Sequence, residues 1–218
     1  MGLMTLYQLW LARNDARESA QIEDPNITAN RSRFLVEEWQ AVRSMGHKSV
    51  SNQVEHWRPP DNTWHKANLD GSFKQSSEGG GGGVVIRDHH GNFVVGRCCF
   101  FPYASDPEGA ELLACREAAI LAVKVGIGKL VLESDCSVVV AKVSSRDVDR
   151  SVYGTLVEEI KTLIKGFADF SIKQVRRTGN EVANRLAKFG CSNKISRTWM
   201  GTPLGFVMDL LASDCAGV

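Results

Sequence analysis

Three strand-like runs in direct succession, then a long helix, then strand alternating with helix, restrict this chain to a narrow set of folds. The runs lie at about 64–73, 82–88 and 91–101. A Ser/Gly-rich stretch joins the first two, and the turn Asp88-His89-His90-Gly91-Asn92 joins the last two. From about Pro107 to Val125 a helical pattern takes over. Ala110, Ala114, Ala118, Leu121, Ala122 and Val125 line one face, and Gly126 and Gly128 suit its end. A strand at 129–135, helices near 137–144 and 151–166, a strand at 169–177 and a helix at 180–190 complete the series. A meander pairs antiparallel, whereas strands separated by helices return parallel. The pattern predicts an α/β domain with one mixed sheet and helices on its faces.

Residues 1–56 read as a helical extension and linker, with one helix from Leu3 to Leu11 and another from Ser32 to Arg43. In the second, Phe34, Leu35, Trp39 and Val42 recur at helical spacing. Pro59-Pro60 breaks the chain near the start of the main domain, 57–193. Residues 194–218 form a tail whose partly apolar run from Trp199 is able to dock back on the domain.

A formal net charge of +1 over 218 residues excludes a strongly basic protein, so nucleic-acid binding has to rest on local patches. The six cysteines include no Cys-x-x-Cys pair, and no His-x-x-x-His pair accompanies them, which argues against zinc. They read as reduced thiols of a cytoplasmic or nuclear protein. The N-terminal apolar stretch is interrupted at Arg13 and is too short to span a bilayer, so no membrane association is expected.

Three acids carry the chemistry. Asp70 sits towards the end of the run Trp64 to Ser72, Glu111 lies in the first turns of the long helix, and Asp135 closes the strand Lys129 to Asp135. Each has an ordinary explanation alone: a turn Asp before Gly71, a first-turn carboxylate on the helix dipole, and an N-cap. Together they form a set of oxygen ligands without His or Cys, which suits Mg²⁺ or Mn²⁺. Meeting at one edge of a sheet, they would make a divalent-metal site for phosphodiester chemistry. The run Gly79 to Gly83 lacks the Lys-Ser/Thr of a phosphate loop and opens a strand. It reads as a flexible loop whose amides are able to approach phosphates or 2′-hydroxyls. Lys173, Arg176, Arg177, Arg185 and Lys188 are either a solvated rim or a phosphate-contacting patch. Cys98-Cys99 reads as buried packing and His89-His90 as an exposed turn.

The order strand-Asp, meander, helix-Glu, strand-Asp and a last helix beginning Arg-x-x-Asn resembles the type 1 ribonuclease H fold. It is most similar to the plant reverse-transcriptase-like domain of non-LTR retrotransposon polyproteins. The matching stretches are Trp57 to Pro60, Asn68 to Ser72, Gly82 to Asp88, Ala110 to Ala114, Leu132 to Asp135 and Arg177 to Ala187, and Leu9 to Asp15 resembles the stretch that precedes such domains. The resemblance implies a five-stranded mixed sheet, three antiparallel strands plus two parallel ones, flanked by helices. It also implies metal-dependent endonucleolytic hydrolysis of the RNA strand of RNA–DNA hybrids with two divalent ions, typically ~3.5–4 Å apart. Asp70 would bridge both ions, with Glu111 and Asp135 on the leaving-group side. The fourth position, normally Asp, is Asn184.

An amide oxygen ligates without negative charge, so the second ion is expected to be weakly held and Mg²⁺-dependent activity reduced, partly restored by Mn²⁺. The family's loop histidine has no counterpart near 176–180, where the chain reads Arg176-Arg177-Thr178-Gly179. Asn68, Gly71, Ser72, Arg176, Arg177 and Asn180 are the expected nucleic-acid contacts, with an ordinary strand-end polar pair as the other reading of Asn68 and Ser72. The family's basic protrusion is replaced by the charge-balanced Arg146-Asp147-Val148-Asp149-Arg150, so affinity for a hybrid is expected to be modest and salt-sensitive. The alternative is a catalytically inactive nucleic-acid-binding module or a transposon-derived relic, in either case a monomer.

Overall fold

The computed structural model describes residues 56–74 and 79–216. All of them belong to the second of the two units into which the chain divides, Val54–Val218. The helices expected at 3–11 and 32–43 lie outside the described residues.

β1 (His65–Phe73), β2 (Gly80–Arg87) and β3 (Phe93–Phe101) form the meander. They are followed by α1 (Pro107–Lys124), β4 (Lys129–Ser134), α2 (Ser137–Ser144), α3 (Gly154–Ile164) and β5 (Asp169–Gln174). After a single 3₁₀ turn at Arg177–Gly179 come α4 (Glu181–Asn193), β6 (Arg197–Met200) and α5 (Met208–Ala216). The strand order is β5-β4-β1-β2-β3-β6. β4 lies parallel to both β1 and β5, and the other pairings are antiparallel.

The sheet therefore has six strands rather than five. The sixth comes from the segment read as a tail, and it pairs Arg197 with Cys98 and Met200 with Val95. Of its four side chains only Trp199 is half-buried, so the sequence carries no alternation to mark it. The open edge of β3 makes it a strand.

Alternate side chains of β2 feed two cores, as the pleat requires. Val84 and Ile86 join Ala67, Leu69, Leu112, Leu130 and Leu132 under α1, α2 and α3. Val85 joins Cys98, Val182, Leu186 and Val207 under α4 and the C-terminal segment. α1 is started by Asp106, whose carboxylate accepts from the Gly109 N–H at 2.8 Å, with Pro107 in its first turn. The Tyr153 hydroxyl donates to the same carboxylate at 2.6 Å, tying α1 to the start of α3. On the other face, Phe206 packs on Phe189 with ring centroids 4.6 Å apart. Arg185 donates to the Phe206 carbonyl and to both Asp209 oxygens, and Arg87 pairs with Asp214 at 2.7 Å. Among the described residues no helix is long and apolar enough to cross a membrane.

The glycine run is not a loop ahead of the second strand. The strand begins at Gly80, and Gly80 to Gly83 are all buried within it. α4 lies directly on this backbone: a Cβ on Gly81 would collide with the Ala187 carbonyl, and one on Gly83 with the Ala183 carbonyl and the Ala187 N–H. Gly83 is flanked in the ladder by Asp70 and Cys98, so these peptide groups face neighbouring strands rather than a phosphate. Gly83→Ala should therefore lower stability by about 1–3 kcal/mol, the usual range for overpacking, because backbone has to yield. Gly128→Ala, where an added Cβ meets nothing within 4 Å, should stay within about 0.5 kcal/mol of wild type. Denaturant unfolding of the two variants checks both values.

Candidate metal centre

β1 and β4 run parallel with Leu69 opposite Ser134, so the residues that follow, Asp70 and Asp135, stand side by side where β4 ends. Glu111 reaches them because α1 rests on a position without a side chain. A Cβ on Gly71 would collide with the backbone of Ala110 and Glu111, and the Gly71 N–H donates to Glu111 Oε2 at 2.9 Å. One carboxylate oxygen from each of Asp70, Glu111 and Asp135 thus lies within 4.8 Å of the others.

Asp70 is only 4% exposed, and the other two are half-buried. Burial, followed by the charges of Glu111 and Asp135, pushes the Asp70 carboxyl up to about 8, with Arg177 opposing the shift. Burial and then Asp135 push Glu111 up to about 7, against the Gly71 N–H and Arg177. Three carboxylates held this close and this dry are unfavourable together unless protons or a cation offset their charge. An all-oxygen donor set with this excess of negative charge fits a hard divalent cation.

α4 closes the site from the other side. The Asn180 carboxamide is 1% exposed, and its Nδ2 donates to the Leu69 carbonyl at 2.8 Å and to Asp135 Oδ1 at 3.0 Å. Asn184 is half-buried one turn further along, on the same helix face, and its backbone N–H donates to the Asn180 carbonyl.

The expected nucleic-acid contacts divide. Arg176 and Arg177 are exposed and Ser72 is half-buried. Asn68 is fully buried, with its polar atoms turned to protein partners. Its Oδ1 accepts from Trp57 Nε1 at 2.9 Å and Arg87 Nη2 at 3.2 Å, and its Nδ2 donates to Glu133 at 3.1 Å. Lys66 completes this network, pairing with Glu133 at 2.6 Å and donating to the Arg58 carbonyl. The Arg87 guanidinium stacks 3.6 Å from the Trp57 ring centroid. Buried polar side chains stay favourable only with such partners, which is why Asn68 is committed inward. Gly71 and Asn180 are likewise engaged within the site. Of the five basic residues read as a patch, Arg185 is held by the C-terminal segment, whereas Lys173 and Lys188 are exposed. Sequence reading missed the way Gly71 and Asn180 hold Glu111 and Asp135. For the glycine a signal exists, since Gly inside a strand marks close approach of another backbone.

A model of the reverse transcriptase-like family matches residues 68–190. No curated protein matches the sequence. Among solved structures, the N-terminal RNase H domain of Rv2228c from Mycobacterium tuberculosis is similar with a TM-score of 0.56 at 21% identity, covering 60% of this chain and 94% of that one. RNase H1 of Halobacterium salinarum aligns with a TM-score of 0.55 at 22% identity over 61% and 99% of the two chains. LC11-RNase H1, solved in complex with an RNA/DNA hybrid, aligns with a TM-score of 0.54 at 16% identity over 60% and 98%. At these identities the likeness is one of fold, and the described domain has the ribonuclease H-like fold.

The raised carboxyl groups set a pH dependence. In the unfolded chain Asp70 and Glu111 release their protons near pH 4, whereas the folded, metal-free domain keeps them until about 8 and about 7. The folded state thus binds more protons across that window, and stability is lost as pH rises through it. Thermal melts in a chelating buffer should show the melting temperature falling between about pH 5 and pH 9, with a flatter profile for Asp70→Asn.

Proposed function

The chain belongs to the reverse transcriptase-like family, and from that membership and its acidic cluster we propose that this protein is a metal-dependent endonuclease hydrolysing the RNA strand of RNA–DNA hybrids. The observation that carries the reading is the convergence of Asp70, Glu111 and Asp135 within 4.8 Å in a domain with the ribonuclease H-like fold. The hybrid bound in the LC11-RNase H1 structure supports the choice of substrate.

Asp70, Glu111 and Asp135 are the residues that would hold Mg²⁺ or Mn²⁺, which when bound supplies the charge that activates a water and stabilises the departing 3′ oxygen. Asp70, whose carboxyl feels the charges of both Glu111 and Asp135, would be the ligand common to the two ions. The Gly71 N–H takes one Glu111 oxygen and leaves the other free to ligate. Asn184 would offer only a neutral amide in the fourth position, so a second ion would be held weakly. Arg177 moderates the negative charge of the cluster, and with Arg176 it lies exposed beside the site to meet phosphates. Binding that rests on so few cations falls with salt. In this reading residues 57–193 are the catalytic domain, extended by 1–56 and 194–218, of a monomeric cytoplasmic or nuclear protein. A plant retrotransposon origin is what the resemblance of its motifs implies.

The neutral Asn184 favours one second reading, a module that binds hybrids without turnover. Cleavage of a labelled RNA–DNA hybrid by the purified chain, with Mg²⁺ and separately Mn²⁺, separates the two. RNA-strand cleavage that disappears in Asp70→Asn is the expected result. Hybrid binding without cleavage in either metal would establish the second reading. Asn184→Asp should raise the Mg²⁺-dependent rate about tenfold, or ~1.4 kcal/mol of transition-state stabilisation. An unchanged rate from folded variant protein would rule out Asn184 as the fourth ligand position.

A further inference from the structure

Asn180 behaves unlike a residue that serves its own helix. It stands at the N-cap of α4, a position where an Asn side chain ordinarily accepts from the first free N–H groups. Here the side chain makes no capping bond to the helix. Its Nδ2 instead donates to the Leu69 carbonyl and to Asp135 Oδ1. Two acceptors on one side fix which end of the carboxamide is the NH₂. The other end, Oδ1, is buried without a hydrogen-bond partner among the described residues. Forgoing the cap and leaving a buried acceptor unpaired are both unfavourable. Local rules broken in this way collect at functional sites.

We propose that Asn180 is a positioning residue of the acidic cluster, holding the Asp135 carboxylate in the orientation that a divalent cation requires. The assignment rests on the metal-dependent reading above. One N–H occupies Asp135 Oδ1, which leaves the second oxygen clear of that bond. The other N–H anchors the same carboxamide to the carbonyl immediately before Asp70. A single side chain thereby fixes two of the three acids relative to each other. Its contribution needs no charge, so it persists whatever the protonation of the acids. Hydrogen bonds from the surroundings orient ligands in this manner at metal sites generally, and removing one costs roughly 10–100-fold in metal affinity.

The test is Mn²⁺ titration of the full chain, followed by the electron paramagnetic resonance signal of free Mn²⁺, for wild type, Asn180→Ala, Asp135→Ala and the double variant. Asn180→Ala should weaken Mn²⁺ binding about tenfold, and that penalty should vanish in the Asp135→Ala background. A residue that only ties α4 to β1 would lower the melting temperature and leave Mn²⁺ affinity unchanged, and that result would overturn the assignment. Folded wild type that binds no Mn²⁺ would instead overturn the metal reading itself, and this assignment with it. A metal-free readout covers a variant that fails to fold. In wild-type sequence the Asn180 side-chain NH₂ resonance should shift when Asp135→Ala is introduced, and an unmoved resonance would exclude the contact.

Discussion

Two helices meet this sheet backbone to backbone, and the rest of the structure depends on that closeness. α1 rests on Gly71 and α4 on Gly81 and Gly83. The helices supply matching faces without bulk, Ala110, Ala114 and Ala118 in one and Ala183, Ala187 and Gly190 in the other. A side chain at Gly71 would lift α1 away and withdraw Glu111 from Asp70. A side chain at Gly83 would lift α4 and withdraw Asn180 and Asn184. Glycine in a strand is unfavourable by roughly 0.5–1 kcal/mol because of the backbone freedom it loses. Burial of the alanine and leucine side chains beside each contact offsets that loss.

The same strand carries both a satisfied polar network and an unsatisfied one. Alternate residues of β1, Lys66, Asn68 and Asp70, point to one face. Lys66 and Asn68 meet Glu133, Trp57 and Arg87, so the carboxylate there has a cation and every long side chain has a partner. Two residues on, Asp70 meets two further acids. Nothing about the strand geometry requires this change. It comes from which residues β4 and α1 present, a balanced set at Glu133 and an excess of negative charge at Asp135 and Glu111. That contrast separates a polar group that stabilises the fold from one that destabilises it in the absence of a cation.

Much of this was legible in the sequence, and the failures share one cause. Hydrophobic periodicity marks the meander, the long helix and β4, because each signal is local. The convergence of the three acids follows from topology, since parallel β1 and β4 place strand ends together. The glycine run was misread because a flexible loop and a strand pressed by a helix share one composition. What distinguishes them is α4, about a hundred residues away in sequence. β6 shows no alternation, since its pairing with β3 is all that makes it a strand. Asn68 looked like part of the site by adjacency to Asp70, yet its partners Trp57, Arg87 and Glu133 are scattered along the chain and visible only once folded.

The long spans that these contacts bridge also bear on how the domain is assembled in time. Gly71 and Glu111 are 40 residues apart, Asn180 and Asp135 are 45, Asn180 and Leu69 are 111, and Arg87 and Asp214 are 127. Loop-closure entropy grows with such separations, so hairpin contacts of the meander form ahead of those that complete the acidic cluster. Repulsion among the acids is then felt only after most apolar surface is already buried. It acts little on the speed of collapse and mainly on how long the finished domain persists before opening, so a cation bound there would set lifetime rather than folding rate.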